Sequence, residues 1–307
     1  MSFLRIWLRS LLSASACAPL ALLPVPVMAQ PLSSNEPGPA AQVRPALWKV
    51  ADEDTTIWLF GTIHVLPEDV RWYKGPVSAA FDEAEELVTE IPIDGTAETQ
   101  GVIARRSMRS DGRNLRETLP PALRTEYEAA MVAAGIAPAA FDANDTWLAA
   151  LMLTLIPLRN AGYNTESGID AQVESRARAR HMRNHAFETA EYQIGLFDEL
   201  PEETQRSYLA EVIAQLPTVR ADIDAMVQAW KSGDAEHLAA LLNEDESDAH
   251  MRRVLITDRN VAWARWLKER LDRPGTVFVA VGAGHLAGAG SVQDQLAASG
   301  ITSTRVQ

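Results

Sequence analysis

Apolar and polar positions divide the chain into a strand-rich start, a long helical middle and a strand-rich end. Residues 46–51 and 55–60 alternate as strands do, and the polar run Asp52-Glu53-Asp54 between them reads as a hairpin turn. The second strand stops at Gly61. A helix is predicted from about Pro76 to Glu85, then a strand at Leu87-Val88-Thr89-Glu90-Ile91, which Pro92 limits. From about Glu98 to Leu271 the 3.6-residue period dominates. It predicts helices over Leu123–Ala134, Thr146–Leu155, Asp170–His181, Glu202–Leu216, Val219–Lys231 and Leu255–Leu271, with Asp145 and Asp170 at N-cap positions. Inside this stretch His185-Ala186-Phe187-Glu188 reads as a short strand, and Thr189 as the cap of the helix after it. Strand character returns over Thr276–Val281 and ends at Gly282. A helix from about Ser291 to Ser299 and a strand over Ile301–Val306 complete the pattern.

Residues 55–91 and 276–306 follow the same order: strand, Gly-x-x-His, loop, helix, strand. A right-handed crossover would place the paired strands of each unit in parallel. The predicted fold class is α/β (α+β). A central mixed sheet is built from N- and C-terminal strand–helix–strand units, with a large helical insertion at about 98–271 between them. If both units join one sheet, both histidines stand beyond the C-terminal ends of strands, where open α/β sheets gather their ligands.

The N-terminus changes the domain picture. Arg5 and Arg9 precede an apolar stretch from Leu11 to Met28 that ends in Val27-Met28-Ala29, the pattern of a signal peptide cleaved after Ala29. Pro19, Pro24 and Pro26 break the stretch and disfavour a spanning helix, so no stable membrane span is expected after cleavage. Residues 30–44 are rich in Pro, Ser, Gly and Ala and read as a flexible tether, which leaves 45–307 as one domain. A periplasmic or secreted location is expected. Cleavage removes Cys17, the only cysteine, so the mature chain has no thiolate for nucleophilic or metal chemistry. The formal net charge of -13 repels phosphate backbones, and nucleic acid is not expected as a partner. Oligomeric state is not legible in the sequence.

Candidate chemistry concentrates at the two Gly-x-x-His motifs, Gly61-Thr62-Ile63-His64 and Gly282-Ala283-Gly284-His285. Glycine lets the chain turn sharply off a strand, and a histidine three residues on can aim its ring over the sheet edge. Two imidazoles at equivalent strand ends could share one ion, or each could bond local carbonyls as a turn histidine. Glu90 interrupts an apolar run, so it either faces water at an edge or is buried and needs a partner or a cation. Glu188 stands at another strand-to-helix junction. His181 and His185 have a zincin's spacing without its glutamate, and the acid run 244–248 lacks EF-hand spacing. Trp263 and Trp266 fall at core-packing spacing. No Walker loop, Rossmann fingerprint or Gly-x-Ser-x-Gly elbow occurs.

Several segments together resemble the TraB/GumN family: Trp48-Lys49-Val50 through Pro67, Ala80–Ala84 leading to Val88–Pro92, Gly168-Ile169-Asp170, Phe187–Gln193 with Leu196-Phe197-Asp198, Asp258-Arg259-Asn260 with Trp263, and Val281–Leu286. Phe187 stands where the family often has leucine before the glutamate. The family is similar to the animal Tiki proteins, which are membrane-tethered metalloproteases, and more distantly to erythromycin esterases and haem-binding ChaN proteins. The resemblance implies an exported metal-dependent hydrolase, a Tiki-like metallopeptidase acting on a peptide or small-molecule substrate. His64, His285, Glu90 and Glu188 would hold a divalent ion (zinc, manganese or cobalt). A glutamate of the pair would accept the proton of water, and Arg259 would hold the developing oxyanion. The alternative is a non-catalytic periplasmic protein that binds peptide, pheromone or haem, or that assists exopolysaccharide export.

Overall fold

The computed structural model describes residues 43–92, 96–243 and 252–307. The expected signal peptide, residues 30–42 of the tether and the acid run 244–248 lie outside the described residues. Val43 is buried and Arg44 donates its backbone N–H to Lys231 O at 2.7 Å, so these two positions, expected in the tether, belong to the packed fold.

Among the described residues six strands form one sheet: β1 (Leu47–Ala51), β2 (Thr55–Thr62), β3 (Glu86–Thr89), β4 (Arg183–Ala186), β5 (Gly275–Gly282) and β6 (Thr304–Arg305). Their order is β4-β3-β5-β2-β1-β6. β4, β3, β5 and β2 run parallel to one another, whereas β1 is antiparallel to both β2 and β6. The mixed sheet with a helical insertion agrees with the predicted class. The strand pairing differs from the expected one. The strands of each strand–helix–strand unit are not paired with each other, because β5 inserts between β2 and β3 and β6 pairs with β1. The two units interleave, which gives the apolar run Val277–Val281 of β5 a parallel neighbour on each side.

Alternation along the strands splits the core into two layers. Phe60, Leu87, Phe278 and Ala280 face the larger layer. That layer contains α1 (Gly75–Glu83), α5 (Thr146–Asn160), α6 (Ile169–Ala179), α8 (Glu202–Gln215) and α9 (Val219–Ser232). It also takes in α2 (Thr96–Arg106), α4 (Pro121–Ala133), α7 (Ala190–Asp198) and α10 (Ala235–Asn243), while the four-residue α3 (Leu115–Thr118) carries a full capping box from Asn114 and Glu117. Ile57, Leu59, Val88, Val277, Val279 and Val281 face the smaller layer, covered by α11 (Asp258–Leu271) and α12 (Val292–Ala298). Thr189 caps α7 as expected, accepting from Tyr192 N–H at 3.1 Å.

This layering places a topological switch between two neighbouring strands. β2 leaves the sheet towards α1 on the larger-layer side, and β5 leaves towards α12 on the other. A crevice opens at the C-terminal ends of such a strand pair. Both Gly-x-x-His motifs sit at this one place, with Gly61 opposite Val281 and Thr62 opposite Gly282 in the β2–β5 ladder.

Candidate functional site

The loops after β2 and β5 touch because Gly61 has no side chain. A Cβ there would lie 3.0 Å from both Cα and Cβ of Ala283. Trp230 of α9 fixes the same glycine from above, its indole N–H donating to Gly61 O at 2.8 Å in a buried setting. His285 follows in a short 3₁₀ turn, Ala283–Leu286, and is fully buried.

Glu90 and Glu188 reach the same crest from β3 and β4, whose backbones continue in parallel beyond the strands: Glu188 N–H donates to Glu90 O at 2.8 Å. On β3, even-numbered residues face α11, so Glu90 points to the smaller layer with Val88. There Arg259 of α11 meets both acids. Its Nη2 lies 2.5 Å from Glu90 Oε2 and 2.9 Å from Glu188 Oε2, and its Nε lies 2.8 Å from Glu188 Oε1. Its Nη1 donates to Leu255 O at 3.0 Å, a carbonyl presented by the π turn Arg253–Thr257, and faces His285 Nε2 at 3.2 Å. The five N–H groups of Arg259 are thus matched by five contacts in a side chain with no exposed surface.

Neutral donors complete the cluster. Gly282 N–H reaches Glu90 Oε1 at 2.8 Å, and Trp263 Nε1 reaches Glu188 Oε1 at 2.9 Å. Gln193 Nε2 lies 2.9 Å from Glu90 Oε2 and 3.2 Å from Glu188 Oε2. His285 Nδ1 sits 2.6 Å from Asn260 Oδ1, and Asn260 Nδ2 donates to Gly290 O at 2.8 Å. That second bond fixes which end of the amide faces the histidine. Nδ1 therefore carries the proton, and Nε2 turns its lone pair to Arg259. Burial pushes the Glu90 carboxyl above its ordinary range, Arg259 pulls it part of the way back, and Glu188 adds to the rise. Burial works against the charged guanidinium of Arg259, but the two carboxylates more than offset this and raise its pKa.

His64 approaches from the larger-layer side. Its Nδ1 bonds Asp170 Oδ2, which lies in the first turn of α6. Asp170 was expected to cap that helix. The N-cap is instead Gly168, and Asp170 turns its carboxylate to the histidine. The α6 N-terminus can come this close only because residue 168 is glycine: a Cβ there would lie 2.1 Å from His64 O. Ile169 N–H then donates to Ile63 O at 2.9 Å and fastens the helix to the loop. His64 Nε2 is buried and has no hydrogen-bond partner. The His64 ring is close enough to Glu90 to act on its carboxyl electrostatically.

The structure therefore brings His64, His285, Glu90, Glu188 and Arg259 to one crest, from both faces of the sheet. Sequence reasoning did not single out Asp170, Gln193 or Asn260 as site residues, and it read Trp263 as core alone. Each belongs to a segment already quoted for the family resemblance, and that was the one signal that could have found them. His181 and His185 are exposed and stand apart from this crest, His185 lying on β4 beside Glu86.

As a metal cage the cluster is already filled. All four carboxylate oxygens of Glu90 and Glu188 already accept from N–H groups, and His285 has a partner on each ring nitrogen. Only His64 Nε2 offers an open lone pair. Among the described residues no group of three or more His, Cys, Asp or Glu side chains stands in a metal-holding arrangement. The four expected ligands do not fit a shared ion as they are placed, because a guanidinium fills the space between the acids.

A model of the TraB/PrgY/gumN family matches residues 46–305. An Escherichia coli protein known as uncharacterized protein YbaP is 30% identical over 162 residues, covering 53% of this chain and 60% of its own length. The chain thus spans about three fifths of that relative. An uncharacterized protein of Treponema pallidum is 23% identical over 263 residues, covering 80% of this chain and 78% of its own. No solved structure matches the chain significantly. Among the described residues, no helix is long and apolar enough to cross a membrane.

Proposed function

The chain belongs to the TraB/PrgY/gumN family, and from that premise we propose that it is an exported hydrolase that cleaves a peptide or small ester or amide at the crest of β2 and β5. The observation that carries the reading is the state of His64: Asp170 holds one ring nitrogen, and the other is buried with no hydrogen-bond partner. Such a pair is suited to general-base chemistry, because the carboxylate fixes the tautomer and stabilises the imidazolium that forms. Water adds to the substrate carbonyl carbon while its proton passes to His64 Nε2. The bond from that carbon to nitrogen or oxygen then breaks, and His64 returns the proton to the leaving group. His64 is the catalytic base in this scheme, and Asp170 is its positioning residue. The divalent ion expected from the family resemblance would have to displace Arg259 from the acids. The apolar N-terminal stretch with its Val27-Met28-Ala29 end supports export to the periplasm.

The test is a panel of chromogenic peptide and ester substrates with wild type, His64→Ala and Asp170→Asn. His64→Ala is expected to lose at least about 10²-fold in kcat/KM, the range of general-base contributions. Asp170→Asn should lower kcat and leave KM near its wild-type value. Undiminished turnover by His64→Ala would end the reading. A protein that binds peptide or haem without turning anything over would favour the non-catalytic alternative.

A further inference from the structure

The crest is charged, yet its charges are answered from within. Two buried carboxylates converge on one buried guanidinium, with contacts of 2.5, 2.8 and 2.9 Å. Burying ions is costly unless each is paired and its remaining hydrogen-bonding capacity is filled. Here both conditions are met. Gly282 N–H, Trp263 N–H and the Gln193 amide take up the carboxylate lone pairs that Arg259 leaves over. His285 shows the same completeness. Its Nδ1 proton goes to Asn260, and its Nε2 faces Arg259 rather than an open space. An incoming divalent ion would meet a fixed positive charge and acceptors already in use. It would have to expel a guanidinium anchored by Leu255 O and lying 4.7 Å over the Trp263 ring.

We propose that Arg259 is the resident cation of this site, that the folded wild-type protein takes up no divalent metal ion there, and that removing the guanidinium converts Glu90, Glu188 and His285 into a metal-binding site. The inference concerns the same crest as the hydrolase reading and rests on it only for location. The donor set it exposes is two carboxylate groups and one imidazole, which suits zinc, manganese or cobalt. Arg259 is then a positioning residue: it holds both glutamates and, through His285, the loop after β5.

The experiment is calorimetric titration of zinc and manganese chlorides into metal-stripped wild type, Arg259→Ala and Arg259→Lys, with elemental analysis after dialysis and circular dichroism as the check on folding. Wild type should show no stoichiometric uptake, whereas Arg259→Ala should bind one ion per chain. The added substitutions Glu90→Gln or Glu188→Gln should abolish that gain. If Arg259→Ala does not fold, Arg259→Lys with Glu90→Gln and Glu188→Gln variants of the wild type answers the question. The proposal requires metal contents that are uniformly below stoichiometry in the wild type and both glutamine variants. One tightly held ion per wild-type chain, lost in Glu90→Gln or His285→Ala, would overturn it. The metal readout needs no substrate, so its failure is separate from that of the hydrolase reading. A metal-free protein that hydrolyses nothing would sink the latter alone.

Discussion

Gly168→Ala isolates the contact that brings Asp170 to His64. Gly168 has φ -57 and ψ 152, a conformation alanine adopts without strain. Without a steric obstacle, the substitution would stabilise the protein by about 0.4–1 kcal/mol through the unfolded chain, less a few tenths for a poorer N-cap. The obstacle decides the sign. The new methyl would lie 2.1 Å from His64 O, 2.6 Å from His64 C and 2.9 Å from Thr165 O, all of them backbone. The first of these is more than about 1 Å inside ordinary contact, so the α6 N-terminus must retreat. Retreat stretches the Ile169-to-Ile63 hydrogen bond, worth about 1 kcal/mol, and adds the usual overpacking cost of about 1–3 kcal/mol. The expected loss is about 2–4 kcal/mol. For a domain of this size, this lowers Tm by roughly 5–15 °C. The companion variant Gly101→Ala, on an exposed face of α2 with nothing within 4 Å of the new methyl, should move Tm upwards by a few degrees. Paired thermal melts decide the matter: a Gly168→Ala protein that melts at or above the wild-type temperature would refute the steric argument. With a substrate in hand, a displacement of about 1 Å at His64 should also cost on the order of 10²-fold in kcat.

Arg259→Met leaves Glu90 and Glu188 buried without their cation and should cost about 3–5 kcal/mol near neutral pH. The sign with pH follows from Glu90, whose folded pKa is already raised by burial and rises further once Arg259 is gone. A carboxyl raised on folding favours the folded state below its unfolded pKa and loses that contribution as pH climbs through the folded value. The deficit, read from urea denaturation, should therefore shrink towards about pH 4, and a deficit equal at both ends would contradict the assignment. Trp230→Phe strands the buried carbonyl of Gly61 and should cost about 1–3 kcal/mol, measured the same way. A loss within error would mean that the indole does not hold the β2 end.

The elements around the site were legible because each declares itself locally. β2 and β5 are largely apolar runs with a glycine at or one residue before their ends, and α6 and α11 keep a helical period throughout. The position of both histidines at strand ends followed from that punctuation alone. What escaped reading depends on partners far away in the chain. Asp170 looks like a cap, since Asp before an apolar-periodic run is one. Its actual partner is 106 positions earlier, and the glycine that permits the approach is not distinctive in sequence. Arg259 was marked by the family resemblance, with an oxyanion role, and helical periodicity says nothing of its partners. Only the sheet order, with β5 between β2 and β3, shows that two acids from separate strands enclose it. Periodicity carries no information on which strands become neighbours, and so the interleaving was missed.

That interleaving has a consequence for how the molecule comes into being. The partner of β2 on its inner edge is β5, which lies more than two hundred positions later in the chain. Closing so long a loop is slow, and on a growing polypeptide it cannot begin until β5 has been synthesised. Until then β2 and β3 present bare apolar edges with a gap between them, the kind of surface that sticks to other chains. Truncation before residue 282 should therefore yield an aggregating species rather than a smaller working protein. The crest can assemble only after β5 exists, so a chain cut short of it holds His64 and Glu90 without the loop that carries His285.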